Sequence, residues 1–164
     1  MIKLETAENS LKILRLMLRL FFQLRCVEGK EQIRVMKTKP SLKDAAHSLH
    51  LKWGDHQLTL DLEVSGTSLD LQALLPLQLE LVDLNRNEKY ADLPEELSGQ
   101  AKRVRQINAG DVMIFAGNSL VLFYESFSTP YSYVRLGSIR EKDQLADLIG
   151  SKVRRFTATL EVAS

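Results

Sequence analysis

Arg135 is the only arginine set among aromatic residues, in Tyr131-Ser132-Tyr133-Val134-Arg135. On an extended chain the two-residue spacing puts Tyr131, Tyr133 and Arg135 on one face. A guanidinium over tyrosine rings would make a cation–π platform or a clamp for a ligand. The plainer alternative is a face washed by solvent, with the Arg135 stem lying along the tyrosines. Asn87-Glu88-Lys89-Tyr90 is a second polar constellation, in which Glu88 and Tyr90 could contact a ligand. Equally, Glu88 could pair with a nearby basic side chain while Tyr90 plugs one end of the fold, since polar loop residues commonly fix turns.

Other chemistries find little support. Ser126, Ser128 and Thr129 offer hydroxyls, but no general base and no Gly-x-Ser-x-Gly elbow accompany them. His47, His50 and His56 are the only histidines. Three-residue spacing sends His47 and His50 to opposite faces of a strand, so no metal site is expected. No glycine loop suited to phosphate is present, and no cofactor is expected. Two basic knots, Lys102-Arg103-Arg105 and Lys152-Arg154-Arg155, could draw an anion. Without interleaved exposed aromatics they do not argue for nucleic acid.

The chain's 164 residues suffice for one domain with its own core. Hydrophobic residues at 45% and charged residues at 26% are ordinary for a globular protein. A single cysteine, Cys26, excludes an internal disulfide and suits a reducing, cytoplasmic setting. Net charge is only +1, yet residues 1–39 hold nine Lys/Arg against four Glu, so a basic leader precedes a mildly acidic body. Arg15 and Arg19 interrupt the apolar run from Leu11 to Leu24, which therefore reads neither as a membrane span nor as a signal-peptide core.

Those candidate residues need elements to hold them. Lys12, Arg15, Arg19 and Gln23 form one stripe of a helix over residues 10–25, with apolar residues around the rest. Such a helix could dock on its own body or on a second subunit, lie on a membrane surface, or belong to a loosely folded upstream segment. Residues 28–47 read as a linker. From His47 the pattern alternates: Leu49, Leu51 and Trp53, then after Gly54-Asp55 the set Leu58, Leu60, Leu62 and Val64, predict a hairpin. Thr67-x-x-Asp70 predicts a helix start and Pro76 its end. Leu77, Leu79 and Leu81 predict a strand whose phase slips at Val82-Asp83-Leu84, as at a bulge. A loop over 87–94 follows. Residues 112–115 and 120–124 are apolar on both faces, which predicts cover on both sides, one of them from a helix carrying Leu74 or Leu148. Ser138-x-x-Glu141 predicts a second helix start, with Leu145, Leu148 and Ile149 facing inward. Phe156, Ala158, Leu160 and Val162 predict the closing strand. About eight strands and two helices favour a mainly β, closed barrel with capping helices over a flat sheet.

The ordered blocks Leu74-Leu75-Pro76-Leu77, Asn87-Glu88-Lys89-Tyr90, Leu93-Pro94 and Ala109-Gly110-Asp111 continue into Leu120–Tyr124, Ser126–Thr129, Tyr131–Tyr133 and Arg135–Gly137. Together they resemble the bacterial cyclophilin-like domain family, over about Leu49 to Val162. The resemblance implies a cyclophilin-type eight-stranded barrel with two short helices over residues 47–164, behind a basic helical extension and linker over 1–46. It implies no established activity. The prolyl isomerases of that fold carry an Arg-Phe segment followed by a Gln-containing strand, and a Gly-Ser-Gln-Phe-Phe-like block; neither occurs here. Arg155-Phe156 only echoes the first, in the terminal strand. The expectation is a non-catalytic module binding a small ligand or extended peptide through Glu88, Tyr90, Tyr131, Tyr133 and Arg135. The alternative is a peptidyl-prolyl cis-trans isomerase. Self-association or peripheral membrane attachment through residues 10–25 is a further expectation.

Overall fold

The computed structural model describes residues 40–41 and 45–163. The expected helix over 10–25 and most of the linker lie outside the described residues.

Alternating apolar residues build β1 (Ser48–Trp53), β2 (His56–Leu62) and β3 (Leu77–Leu84). β4 (Glu88–Asp92), β7 (Asp111–Phe115), β8 (Ser119–Phe123), β10 (Ser132–Ile139) and β11 (Arg155–Val162) complete the main set. Hydrogen bonding runs in the order β2-β1-β11-β3-β4-β8-β7-β10, and β10 returns to β2. Each of these pairings is antiparallel, and the eight strands close a barrel. Closure leaves no long leucine-rich edge open to other chains. Three two-residue strands escape the sequence reading: β5 (Lys102–Arg103), which extends the sheet beyond β10, and β6 (Gln106–Ile107) with β9 (Phe127–Ser128), which pair with each other.

The inner face is a leucine-rich core that includes Leu49, Leu58, Leu81, Ile114, Leu122 and Leu136. Helix α1 (Gly66–Leu74) closes with Leu71 on it, and α2 (Leu145–Ile149) with Leu145 and Ile149. Both helix starts differ from expectation. Ser65, not Thr67, caps α1: its Oγ accepts from Ser68 N at 3.1 Å while Ser65 N donates to Ser68 Oγ at 3.0 Å. Thr67 instead donates to Ser98 O at 2.5 Å. Ser138 caps nothing, because its backbone is taken by sheet pairing with Asp111 and Asp61. The second helix therefore begins later, with a 3-10 turn over Lys142–Gln144.

The expected slip in β3 is also absent. β3 keeps its register against β11 from Leu77 to Val82 and against β4 from Val82 to Leu84. The alternation continues through Asp83, a polar residue on the inward side at the barrel end. The irregularity lies in β10, between Arg135 and Gly137. There β10 leaves β5 and turns to pair with β2, Gly137 standing against Leu62. A Cβ added to Gly137 would lie 2.0 Å from the Asp61 carbonyl oxygen, so this seam closes only on a residue without a side chain. Gly137→Ala is expected to destabilise the protein by roughly 1–3 kcal/mol through forced separation of β2 and β10. Urea unfolding checks this; an unchanged midpoint would mean that the seam yields freely.

Candidate functional site

The outward residues of β4, β8, β7 and β10 form rows across the sheet. Glu88 faces Phe123; Tyr90 faces Val121, which faces Met113, which faces Arg135. Asp92, Ser119 and Phe115 make a third row, and on the far edge Tyr133 faces Lys102 of β5. These residues explain why β7 and β8 are apolar on both sides. Their outer side carries a second core of Ile107, Met113, Val121, Phe123 and Tyr133, with Tyr90, Val104, Phe115, Phe127 and Tyr131 packed around it. The expectation that a helix bearing Leu74 or Leu148 covers this side is corrected. Leu74 and Leu148 pack on the inner core, and the outer cover comes from the chain near Val104, Ile107 and Phe127. Small β6–β9 pairing lets that irregular segment satisfy part of its backbone while it crosses the sheet.

The rings are linked edge to edge. Tyr133 lies 5.7 Å from Phe123 and 5.4 Å from Phe115, between ring centroids. Phe123 meets Phe127 at 5.7 Å, and Phe115 meets Tyr131 at 6.2 Å. Such tilted contacts suit aromatic quadrupoles. The middle of the cluster is buried, whereas Tyr90, Phe115, Phe127 and Tyr131 at its margin are only partly covered. Burial pushes the Tyr133 phenol up to about 12, and the nearby Glu88 carboxyl adds to that rise.

Glu88 sits at one end of this face, only 8% exposed. The sequence allowed it a local basic partner, but among the described residues its carboxyl has no hydrogen bond or ion pair. Its neighbour Lys89 points the other way, as strand alternation requires. Desolvation, and after it the like charge of Asp83, raise the Glu88 pKa to about 8. At neutral pH the carboxyl is therefore mostly protonated.

Arg135 shares the outward face with Tyr131 and Tyr133, as the spacing predicts. Its charge, however, is engaged: Nε donates to Glu63 Oε1 and Nη2 to Asp111 Oδ1, each at 2.7 Å. Asp111 in turn accepts from Asn108 N at 2.9 Å through Oδ2. Thus Glu88, Tyr90, Tyr131 and Tyr133 border one aromatic cluster, while Arg135 belongs to an ion-pair group beside it.

The residues that sequence reasoning missed are Phe115, Phe123, Phe127 and Met113 of the cluster, and the polar group behind β4. There Lys89 Nζ, fully buried, donates to Asp83 Oδ1 at 2.5 Å, Val153 O at 2.6 Å and Gly150 O at 3.2 Å. The Tyr124 hydroxyl donates to the same Asp83 oxygen at 2.8 Å, and the Lys89 ammonium stands 4.9 Å from the Tyr124 ring centroid. Burial first, then its bond to Asp83, hold the Tyr124 phenol above the usual range. Double apolarity of β7 and β8 was the available signal for the cluster; nothing local marks the Lys89 group. Among the described residues no three His, Cys, Asp or Glu side chains converge as metal ligands, and no helix is long and apolar enough to cross a membrane.

The model of a family described as the Cyclophilin-like family matches residues 51–161. The fold is similar to the solution structure of the hypothetical protein AF2241 from Archaeoglobus fulgidus, with a TM-score of 0.55 and 16% sequence identity. That likeness covers 73% of this chain and 96% of the archaeal one, and at such identity it speaks for the fold alone. No curated protein matches the chain.

Proposed function

The chain belongs to the cyclophilin-like family, and from that premise we propose a non-catalytic binding module that holds a small ligand or an extended peptide on the aromatic outer face. The reading rests on one observation: a chain of touching rings ends in half-covered residues at its margin, with the unpartnered Glu88 carboxyl on the same face. Apolar walls with few placed polar groups are what ligand sites usually offer. Tyr90, Tyr131, Tyr133 and Glu88 are the contacts; Arg135 would act at the rim, where its two carboxylate partners already hold it. A cytoplasmic, bacterial setting belongs to the same reading, on the strength of the lone Cys26 and the family resemblance.

Aromatic-ring NMR of the full chain, titrated with a small aromatic fragment set and with Ala-Pro and Phe-Pro tetrapeptides, tests the proposal. Saturable shifts confined to Phe115, Tyr90, Tyr131 and Tyr133, weakened at least tenfold by Phe115→Ala, are expected. Shifts that map elsewhere, or none at all, would remove it. Isomerisation of a prolyl bond needs a free cation or donor aimed at the prolyl nitrogen in a dry groove. Arg135 is already neutralised, so Ala-Pro peptides should isomerise at their spontaneous rate. Turnover that Arg135→Ala abolishes would reverse the choice in favour of the isomerase.

A further inference from the structure

We propose that the ligand of this face carries an organic cation, an alkylammonium or guanidinium group, for which Glu88 is the counter-ion. The inference rests on the binding reading above and names its ligand class. Glu88 is only 8% exposed, and a carboxyl on so covered a side chain ordinarily finds donors. Here no donor among the described residues reaches it. Apart from the backbone, its surroundings on the face are the rings of Phe123, Tyr90 and Tyr133, whose negative π-faces also favour a cation. An anionic ligand would instead meet the like charge of Asp83 behind the carboxyl.

Among the described residues no Lys or Arg side chain pairs with Glu88. Lys89 is turned inward onto Asp83, Gly150 O and Val153 O. Arg135 is held by Glu63 and Asp111. Lys102 faces Tyr133 from β5, four strands along the sheet from β4. Lys102 is exposed there, so solvent and salt screen much of its charge. The ionic charge that acts on Glu88 is that of Asp83 on the inner side of the sheet, and the phenols of Tyr124 and Tyr133 stay protonated. Binding therefore ionises Glu88 and releases one proton at neutral pH, because the cation stabilises the carboxylate that burial alone disfavours.

The test follows the side-chain carboxyl carbon of Glu88 by NMR in the full chain at pH 6.5, assigned by its loss in Glu88→Gln. Phenethylamine and phenylacetate serve as matched cationic and anionic probes. Gly-Lys-Gly and Gly-Arg-Gly separate a peptide source of the cation from a free amine. Phenethylamine, or one of the two peptides, should move the resonance saturably towards its ionised position. Glu88→Gln, still folded by its melting temperature, should bind that probe at least tenfold more weakly. A resonance unmoved by all three cations would overturn the assignment, as would undiminished binding by Glu88→Gln. If phenylacetate shifts the Tyr131 and Tyr133 rings while the cations do not, the aromatic site stands and the cation assignment falls.

Discussion

Lys89→Met is expected to destabilise the protein by about 3–5 kcal/mol, the usual cost of removing one member of a buried ion pair. The side chain is fully buried and gives hydrogen bonds to three acceptors from two parts of the chain. Methionine matches its length but donates nothing, so Asp83 keeps only the Tyr124 hydroxyl and two carbonyls lose their donor. Those carbonyls, Gly150 and Val153, join the end of α2 to the start of β11, and the loss should loosen the closing strand first. Urea unfolding measures the cost, and hydrogen exchange at Arg155–Thr157 reports its location. The companion Asp83→Leu, combined with Lys89→Met, should recover part of the loss, since an apolar pair replaces an ionic pair at little net cost. A loss below about 1 kcal/mol for Lys89→Met, or strictly additive effects in the double variant, would show that the group is decorative.

A second large effect attaches to Glu88 and depends on pH. Its folded pKa, about 8, lies above the ordinary 4.5. Below pH 4.5 both folded and unfolded states hold the proton, and the group is neutral in the balance. Between 4.5 and about 8 the unfolded chain ionises while the folded protein stays protonated. Stability then falls with rising pH by about 1.4 kcal/mol per unit, about 5 kcal/mol over the window, and levels off above it. The exposed carboxylates held low by cations, Asp61 by Arg140 and Glu161 by Lys52, have the opposite sign and act only in more acidic solution. Urea midpoints at pH 5, 6.5 and 8 should therefore decline in the native protein and stay nearly level in Glu88→Gln. Parallel profiles would place the pH dependence elsewhere.

Most of the barrel could be read from alternation. Leu49, Leu51, Leu58 and Leu60 repeat every second residue, and that rhythm is a property of the strand itself. β4 is the instructive failure. Glu88-Lys89-Tyr90-Ala91-Asp92 carries charge on both faces, so it resembles a loop although it is a full barrel strand. Asp83 misled in the same way: a carboxylate on the inward side looks like a broken phase until Lys89 and Tyr124 are seen to meet it. Thr67 and Ser138 had the right residue types for caps, but the neighbouring backbone had other hydrogen bonds to make.

The site divides along the same line. Which residues share the outward face was settled by spacing alone, and Tyr131, Tyr133 and Arg135 do share it. What each one touches was not legible. Arg135 reaches Glu63 across 72 residues of chain and Asp111 across 24; Lys89 reaches Val153 across 64. Local pattern therefore determined most of the barrel strands, their faces and the fold class, because these depend on neighbours in sequence. Only the closed tertiary structure decided that Arg135 is neutralised, that Lys89 is satisfied inside, and that Glu88 has no hydrogen-bond or ion-pair partner among the described residues. Charge pairing depends on a few ångströms between residues that the chain brings together only when the barrel shuts.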